Sequence, residues 1–514
     1  MCLQTFSSTK IIPKKNSLQR CTSRRCRCTP NTQKASPEAH YSIAHAAALH
    51  CARQSLHKHK HALLPHSISM TLLDHARAQE RDAAKEAHQK DEKHGLLITK
   101  KDAKAKPPCP PTKKLRSQAF ILDQMRHSMR FFSPERAIDE SGGYFHFFAE
   151  DGSIFDQDTK VLVTQARFIF SLAVAAEHLK DAKYLKAVEH GVSWLATGPL
   201  RNKDNGAYHW ALKDGKPTSS KIFTYGLAQC LLAYAAALRA GCKMALPFLN
   251  ETWETLEKRL FVERDGLYAE EASSDWKVDA YRSESGNLHM TEALIACYEA
   301  TNDQKYLDRA LLVADKICNR AAGQTQGLVW EHFDEHWTPQ LDFDNDNEAL
   351  KIFRPWGFQP GHQVEWARFL LTIDRHCKGR VWWLVPKARF LFDVAVAKAW
   401  DDEFGGLCYS IDLDGAVCNG DKIFWVQCES IGTAAMLATI TKEEKYWAIY
   451  DKLWRYSWDK WVDHEHGSWL RRMSREHVPY FTEKTKLSLC VDPDFHMLGA
   501  YAGTLTFMRD AGVA

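Results

Sequence analysis

Hydrophobic positions from Ser117 onward recur every three to four residues, and loops rich in Gly, Pro and Asp interrupt them. This periodicity is typical of amphipathic helices that bury one face. One set of helices is predicted to begin near Thr159, Lys221, Leu288, Gly361, Phe424 and Asp494. Their starts are separated by 62, 67, 73, 63 and 70 residues, which indicates a repeated pair of helices.

A second set of helices is predicted between those of the first. Three of them follow a short polar turn and open with a shared pattern: Lys183-Tyr184-Leu185, Lys305-Tyr306-Leu307 and Lys445-Tyr446-Trp447. The connections, at roughly 15 to 25 residues, are longer than solenoid turns, and loops of that length are usually functional. Strand signals are limited to 143–148 and 406–411. We therefore predict an all-α barrel of about six helical hairpins with its cleft at one end.

Residues 1–115 differ in composition and are predicted to be an N-terminal extension to a body at 116–514. They are rich in His, Lys, Ala, Ser and Pro, and they end in Pro107-Pro108-Cys109-Pro110-Pro111, which is typical of a linker. Residues 1–69 have few acids and several Arg and Ser, as organelle transit peptides do. A disordered tail, or a reading frame extended upstream of a true start at Met70, fits the same composition.

The net charge of +4 conceals an asymmetry between these two parts. Residues 1–115 contain 22 Lys and Arg against 8 Asp and Glu, whereas the other 399 residues contain 46 basic and 56 acidic side chains. Binding to nucleic acid requires a clustered positive surface, so a nucleic-acid partner is not expected for the body. No apolar run is long enough to predict a membrane span or a secretory signal.

Fifteen cysteines are present, and most of those in the body lie within apolar helical runs. This usage indicates buried free thiols in a reducing compartment, so we expect a cytoplasmic protein. Homo-oligomerisation is compatible with the sequence, which does not specify an oligomeric state.

Unusual polar residues occur near the predicted starts of the first set of helices. His289 and Glu292 lie three residues apart, as do His362 and Glu365, so each pair shares one helix face. Arg167 lies among apolar neighbours, and Gln427 and His496 occupy similar places in the last two helices. If these helices line one cavity, their polar side chains converge there. Trp210, Trp356 and Trp425 are candidates for stacking on a sugar ring, and core or rim packing is an equal alternative for each.

Four motifs resemble the N-acylglucosamine 2-epimerase superfamily over about residues 117–512. They are Gly361-His362-x-x-Glu365-Trp366-Ala367-Arg368, Asn287-x-His289-Met290-x-Glu292, Thr164-x-Ala166-Arg167-Phe168 and Pro493-Asp494-x-His496. The similarity is greatest to the aldose–ketose isomerase branch of mannose and sulfoquinovose isomerases. It implies an (α/α)6 or (α/α)7 barrel and metal-independent isomerisation of a free sugar without a cofactor.

The resemblance also implies roles for single residues. The catalytic set is His362, His496, Arg167, Glu365 and His289. The substrate-binding set is Asn287, Glu292, Trp356, Gln427 and Trp425. One departure is Phe495, which stands where relatives often have Tyr; ring packing is expected to survive the loss of the hydroxyl.

The chemistry of isomerisation fits these residue types. Ring opening, removal of the C2 proton and delivery of a proton to C1 require groups that work as base and then acid near neutral pH, as imidazoles do. A guanidinium stabilises the negative charge of the enediolate. We expect His496 to move the carbon proton and His362 to assist ring opening and transfer between O1 and O2, although the roles could be exchanged. Glu365 and Glu292 are expected to orient the histidines.

Four alternatives remain at this point. A dinuclear metal enzyme could use the two His-x-x-Glu pairs, but the order differs from that of di-iron bundles. A glycoside hydrolase could use Glu365 and Glu429, which would leave the histidines unexplained. A binding protein could share the barrel without activity. A sugar 2-epimerase, acting on N-acylglucosamine or cellobiose, shares the proton abstraction and differs in where the proton returns.

Overall fold

The computed structural model describes residues 106–343, 354–480 and 492–514. The predicted extension at 1–115 lies outside these residues except for its last ten. Those ten residues pack against the body: the Trp458 indole N–H donates to the carbonyl of Pro107 at 2.8 Å, and the Tyr450 hydroxyl donates to the carbonyl of Leu115 at 2.7 Å. Residues 106–115 are therefore in contact with the body, and the division into an extension at 1–115 and a body at 116–514 stays a prediction.

Twelve helices of more than ten residues make up most of the described chain. They are α1 Gln118–Phe131, α2 Leu162–Leu179, α3 Ala182–Thr197, α4 Thr224–Ala240, α5 Ala245–Arg259, α6 Glu284–Thr301, α7 Gln304–Ala314, α8 Pro360–Cys377, α9 Leu384–Ala399, α10 Phe424–Thr441, α11 Glu444–Lys460 and α12 Phe495–Asp510. Short helical segments occur at Thr112–Leu115, Pro134–Ala137, Asp315–Ala321 and Ala322–Gln324.

The even-numbered helices pack against one another in a closed cycle. Each of α2, α4, α6, α8, α10 and α12 contacts the next, and α12 contacts α2. The odd-numbered helices α3, α5, α7, α9 and α11 each pack on the helix that precedes them or on the one that follows. We call the first set the inner helices. Their observed starts lie within four residues of the six starts predicted from the sequence.

Most of the inner helices end at a residue whose backbone has the left-handed helical conformation. Lys180, Gly241, Asn302, Lys378 and Lys442 all have positive φ at the C-terminal cap. An acidic side chain often follows at once: the carboxylates of Asp181 and Asp303 accept from the backbone N–H of Lys183 and Lys305 and so begin α3 and α7. These polar turns reverse the chain tightly.

Short strands line the other end, where the inner helices begin. They are β1 Phe147–Phe148, β2 Ile154–Asp156, β3 Thr159–Val161, β4 Ala211–Lys213, β5 Lys216–Pro217, β6 Ile222–Phe223, β7 Phe261–Val262, β8 Leu267–Tyr268, β9 Glu271–Ala272, β10 Arg282–Ser283, β11 His332–Phe333, β12 Ser410–Ile411, β13 Val417–Asn419, β14 Lys422–Ile423 and β15 Arg472–Met473. They are more numerous than the two strand regions predicted, because strands of two or three residues are too short to give the alternating pattern that identifies a strand in a sequence.

The strand pairing repeats around the cycle. β3, β6, β10 and β14 lead directly into α2, α4, α6 and α10, and they pair antiparallel with β4, β9, β11 and β15, which follow the next odd-numbered helix. The first N–H of each of these inner helices donates to a loop carbonyl, that of Trp210, Glu270, Glu331 or Arg471. Backbone groups therefore cap the inner helices where side-chain caps are lacking.

Four inner helices carry a side-chain amide at their fourth position, and each amide hydrogen bonds to the backbone of a neighbouring loop. Each amide accepts from the N–H and donates to the C=O of one residue: Gln165 with Tyr144, Asn287 with Tyr268, Gln363 with Val329 and Gln427 with Leu407. All four amides are buried. These contacts fix the loops over the ends of the inner helices.

The remaining general features concern the membrane and the thiols. No helix within 106–343, 354–480 or 492–514 is both long and apolar enough to cross a membrane. The described cysteines are free thiols, most of them buried, as predicted.

We predict that Gln427→Ala lowers the free energy of unfolding by about 2–4 kcal/mol, because it leaves the N–H and C=O of Leu407 buried without partners. Chemical denaturation measures the change. Gln304→Ala, at an exposed amide on α7, is the control and is expected to change stability by less than about 0.5 kcal/mol. Equal, small effects of both substitutions would contradict a loop-holding role for Gln427.

Candidate active site

The sixth residue of each of the first five inner helices is a buried polar side chain: Arg167, Gln229, His289, Glu365 and Glu429. On α12 the corresponding end carries His496 at the second position. Because the inner helices form a closed cycle with their starts at the same end, these side chains lie close together. The convergence expected from the sequence is present in the structure.

Polar contacts link all six inner helices in one closed ring. The contacts are Arg167 Nε to Gln229 Oε1 at 3.3 Å, Gln229 Nε2 to His289 Nδ1 at 3.2 Å, His289 Nδ1 to Glu292 Oε2 at 3.7 Å, Glu292 Oε1 to Arg368 at 2.9 Å, Arg368 Nε to Glu429 Oε2 at 2.8 Å, Glu429 Oε1 to His496 Nδ1 at 2.9 Å, His496 Nε2 to Asp492 Oδ2 at 3.7 Å and Asp492 Oδ2 to Arg167 at 2.9 Å. We call this set the polar ring.

His496 lies between two carboxylates and two guanidinium groups. Its Nδ1 is 2.9 Å from Glu429 and 3.6 Å from Glu365. Burial and the nearby Arg167 guanidinium lower the pKa of His496 well below its usual value. A neutral imidazole that donates its Nδ1 proton to Glu429 presents an unprotonated Nε2, which is the arrangement of a general base.

Glu365 and Glu429 form a buried acidic pair beside this histidine. Burial and the neighbouring Glu429 raise the pKa of Glu365 well above its usual range. Burial also raises the pKa of Glu429, to about 7, although Arg368 opposes this. In contrast, Arg368 overcomes the burial of Glu292 and holds its pKa at about 2. Burial and Glu429 therefore favour the protonated form of Glu365, whereas Arg368 favours the ionised form of Glu292.

His362 has a different environment from His496. Its Nδ1 lies 2.7 Å from Glu284 Oε1 and 2.9 Å from Glu331 Oε2, and no arginine joins this set within the described residues. Burial lowers the pKa of His362, but the two carboxylates outweigh it and raise that pKa well above the usual value. The two carboxylates therefore favour the imidazolium form of His362, with Nδ1–H directed at them.

Glu365 shares a helix face with His362, its neighbour three residues earlier, but the histidine that it contacts is a different one. Glu365 contacts His496 instead, and Glu284 and Glu331 hold His362. Glu292 does lie near His289, at 3.7 Å, but its closer partner is Arg368. Spacing along one helix places two side chains on one face, whereas their hydrogen-bond partners depend on the side chains of the adjacent helices.

Trp425 lies between the two histidines. Its ring centroid is 5.4 Å from that of His362 and 5.3 Å from that of His496, with interplanar angles near 30°. A Cβ at Gly361 would come within 2.3 Å of this indole, so the glycine that precedes His362 is what allows α8 and α10 to approach. Trp425 thus sets the spacing of the histidines, and its predicted contact with substrate stays a prediction.

Arg167 and His289 are fixed by aromatic rings as well as by the polar ring. The Arg167 guanidinium lies 4.2 Å from the centroid of Phe495, so the ring packing expected despite the missing hydroxyl is present. His289 packs on Tyr225 with 4.6 Å between centroids. Burial lowers the pKa of His289, which fits a neutral ring that accepts from the Gln229 amide.

Three predicted substrate-binding residues lie in other settings. The amides of Asn287 and Gln427 are occupied by the backbone of Tyr268 and Leu407, which favours a structural role. Trp356 is on the rim, 39% exposed, and its indole N–H donates to Leu341. No contact of these residues with the polar ring is recorded within the described chain, so their sugar-binding role stays a prediction.

Sequence reasoning overlooked Glu284, Glu331, Arg368 and Asp492. Arg368 stood within the quoted Glu-Trp-Ala-Arg motif, and a buried cation of this kind implies carboxylate partners on adjacent helices. Glu284 is the first residue of α6 and Glu331 precedes β11, so only the strand pairing of β10 with β11 brings them together. Nothing in the linear spacing of these two residues could have indicated their contact.

Two groups of three, Glu284/Glu331/His362 and Glu365/Glu429/His496, place their ligand atoms within 4.8 Å of one another, a spacing that could also hold a cation. In both groups Nδ1 of the histidine hydrogen bonds to a carboxylate. We interpret both as proton-holding groups. The dinuclear pairing of His289/Glu292 with His362/Glu365 is not among the groups formed by the described residues.

A family model described as N-acylglucosamine 2-epimerase matches residues 143–490 of the chain. The D-mannose isomerase of Marinomonas mediterranea is 41% identical over 387 residues, which cover 75% of this chain and 96% of that protein. The D-mannose isomerase of Thermobifida fusca is 32% identical over 309 residues, which cover 59% of this chain and 75% of that protein.

A solved structure described as D-mannose isomerase superposes with a TM-score of 0.72 at 40% identity. The superposition covers 76% of this chain and 98% of the chain in that structure. The cellobiose 2-epimerase of Spirochaeta thermophila superposes with a TM-score of 0.66 at 21% identity, covering 76% of this chain and 96% of its own. At 21% identity, the similarity to the cellobiose 2-epimerase establishes a shared fold only.

We predict that Arg368→Met lowers the free energy of unfolding by about 3–5 kcal/mol at pH 7, because Glu292 and Glu429 lose their shared cation. The pKa of Glu292, about 2 when folded, lies below its unfolded value of about 4.3. The stability that Arg368 provides through Glu292 is therefore present above that unfolded value and is lost as pH falls. The loss on substitution should thus shrink below about pH 4.

Denaturation curves from pH 3 to 8 measure this difference. Arg309→Met is the matched control, since the Arg309–Glu257 pair is partly exposed and is expected to contribute at most about 1 kcal/mol. A pH-independent loss in Arg368→Met would contradict charge compensation of Glu292 as the cause.

Proposed function

The chain belongs to the N-acylglucosamine 2-epimerase family, and from this premise we propose that it is an aldose–ketose isomerase that converts D-mannose to D-fructose. The observation that carries the proposal is that His496 and Arg167 of the polar ring lie at the same end of the inner helices as His362, which is separated from His496 by Trp425. The surroundings of the two histidines favour a neutral His496 and an imidazolium His362. The two relatives named D-mannose isomerase support the choice of reaction.

We further propose that the closed cycle of inner helices is an (α/α)6 barrel, with the odd-numbered helices outside it and the substrate at the end where the inner helices begin. The contact of α12 with α2 supports closure. The TM-score of 0.72 against a D-mannose isomerase structure supports the same architecture.

His496 is the base in the proposed mechanism. Its unprotonated Nε2 removes the proton from C2 of the open-chain aldose and returns it to C1, so one imidazole moves the proton across one face of the enediolate. The Nδ1–H bond to Glu429 orients the ring and stabilises the imidazolium that forms. The lowered pKa of His496 keeps this base unprotonated at neutral pH.

His362 is the acid. As an imidazolium it donates to the ring oxygen when the sugar opens, and it moves protons between O1 and O2. Arg167 places a guanidinium where the enediolate becomes negative, which stabilises the transition state more than the neutral sugar. The proposed pocket is completed by Glu365 in its protonated form, by His289 and by ionised Glu292. Sugar contacts by Trp425, Trp356, Asn287 and Gln427 belong to the proposal as well.

A sugar 2-epimerase is the second candidate. It is favoured by relatives such as the cellobiose 2-epimerase of Eubacterium cellulosolvens, at 25% identity over 66% of this chain. In that reaction the proton returns to C2 on the opposite face. The larger identity to proteins named D-mannose isomerase ranks isomerisation first. A cytoplasmic location, metal independence and the absence of a cofactor stay predictions.

The first test follows D-mannose by NMR in D2O with the full chain and EDTA. We predict fructose that carries deuterium at C1, because the proton from C2 exchanges with solvent on His496 before it returns. Glucose, or deuterated mannose without fructose, would favour epimerisation. No exchange in mannose, at a protein concentration that gives turnover with another aldose, would exclude mannose as the substrate. A dependence on added metal after EDTA would contradict the metal-free mechanism.

We predict that His362→Ala and His496→Ala each lower kcat at least about hundredfold, since a positioned acid or base contributes about 10² to 10⁴. Circular dichroism and thermal unfolding verify the fold of each variant. His190→Ala is the control, because His190 lies on α3 and hydrogen bonds to Gly143, away from the polar ring. A histidine variant that keeps more than a tenth of the activity removes that residue from the mechanism.

A further inference from the structure

The site contains the same set of three side chains, one histidine and two glutamates, twice. In each case an imidazole Nδ1 faces two buried carboxylates: Glu284 and Glu331 around His362, and Glu429 and Glu365 around His496. The four carboxylates are at most 4% exposed. The two sets differ in the cations that accompany them.

The set around His496 has two guanidinium groups. Arg368 donates to Glu429, and Arg167 reaches Asp492 beside His496. The set around His362 has no such group within the described chain, where the ion pairs of Glu284 and Glu331 run only to His362. Two carboxylates therefore face one imidazole.

Two ionised carboxylates beside one imidazolium would leave an uncompensated negative charge in a buried site, which is costly. A proton held by one carboxyl group removes that charge. Glu284 is the better anion, because its Oε2 also accepts the Trp366 indole N–H at 2.7 Å while its Oε1 faces His362. Glu284 Oε1 and Glu331 Oε1 both lack a hydrogen-bond partner among the described residues, which suits two carboxyl groups that share one proton.

We propose that Glu284 and Glu331 share one proton and act together as the positioning pair that keeps Nδ1 of His362 protonated and directs its Nε2 towards the substrate. This inference rests on the proposed function only for the role of Nε2. The shared proton neutralises one carboxylate charge at His362, as an arginine does at His496. The pair then provides one negative charge and one neutral hydrogen-bonding group, so His362 remains the acid. His496, beside Arg167 and Arg368, remains the base.

The pKa directions agree with this proton count. Burial raises the pKa of Glu331 to about 8, while the His362 imidazolium overcomes the burial of Glu284 and lowers its pKa. Other titratable groups face this set from each neighbouring element: Tyr281, His332, Glu270, His289, Glu365 and Tyr409. Burial favours the neutral form of each of these six. The nearby Arg354 guanidinium lies over the Tyr281 ring and pairs with Glu271 at 3.3 Å, and neither Glu284 nor Glu331 has an ion pair with it within the described chain.

A shared proton makes the two carboxylates redundant in one specific sense. In Glu331→Gln the amide replaces the protonated carboxyl group, and Glu284 still pairs with His362. In Glu284→Gln the proton is no longer needed, and Glu331 ionises and pairs with His362. Only the double variant removes both anions and leaves burial to deprotonate His362. The two substitutions should therefore be strongly non-additive.

The experiment combines kinetics with 15N NMR of histidine-labelled full-length chain, with His362 assigned from the spectrum of His362→Ala. We expect kcat on D-mannose to fall less than about tenfold in each single variant and at least about hundredfold in Glu284→Gln/Glu331→Gln. At pH 7 the His362 ring should be an imidazolium in the native chain and in both single variants, and neutral in the double variant. Its shift should report a titration near pH 8 that is lost in Glu331→Gln.

Glu299→Gln is the matched control. Glu299 accepts from His376 at 2.9 Å at the opposite end of the inner helices, so this partly buried Glu–His contact is outside the active site and the substitution should leave kcat unchanged. Thermal unfolding excludes misfolding of any variant. A neutral His362 in the native chain, or a single variant as damaging as the double, would overturn the shared proton. The NMR result does not depend on turnover, so it stands even if mannose is not the substrate.

Discussion

The pairing of Arg368 with Glu292 and Glu429 is the interaction on which the rest of the cavity depends. Arg368 lies on α8 and reaches carboxylates on α6 and α10, so one side chain fixes three successive inner helices. Glu429 then orients His496 on α12, and Asp492 returns the contact to Arg167 on α2. Charged groups at this depth are stable only when paired, so the helices can close only in the register that completes the polar ring.

The same charge compensation separates the roles of the two histidines. Guanidinium groups beside the acids around His496 remove the need for a proton on its imidazole. The acids around His362 have no such partner among the described residues, and the imidazole itself becomes the cation. One residue type thus serves as base and as acid within one cavity, because of which cations lie next to its carboxylates.

The helices were the most predictable part of the molecule. Their starts follow from periodicity and from turn residues such as Asp181 and Asp303, whose effects are local. The convergence of Arg167, His289 and His496 could be anticipated because equivalent positions of a repeat lie at one end. Two structural facts were not predictable. The loop strands are only two or three residues long and so have no sequence pattern of their own, and the carboxylate partners of His362 lie 78 and 31 residues away in the chain.

The two His-x-x-Glu pairs illustrate why spacing alone assigns partners poorly. Both pairs lie on one helix face as predicted, yet Glu365 faces His496 on α12, and Glu292 binds Arg368 on α8. An isolated helix would pair such neighbours with each other. In a closed cycle each inner helix presents its polar face to two others, so a carboxyl group can contact a side chain on an adjacent helix in place of its neighbour on the same helix. A motif in such a barrel therefore identifies the residues of the site, whereas their hydrogen-bond partners depend on the charges of the adjacent helices.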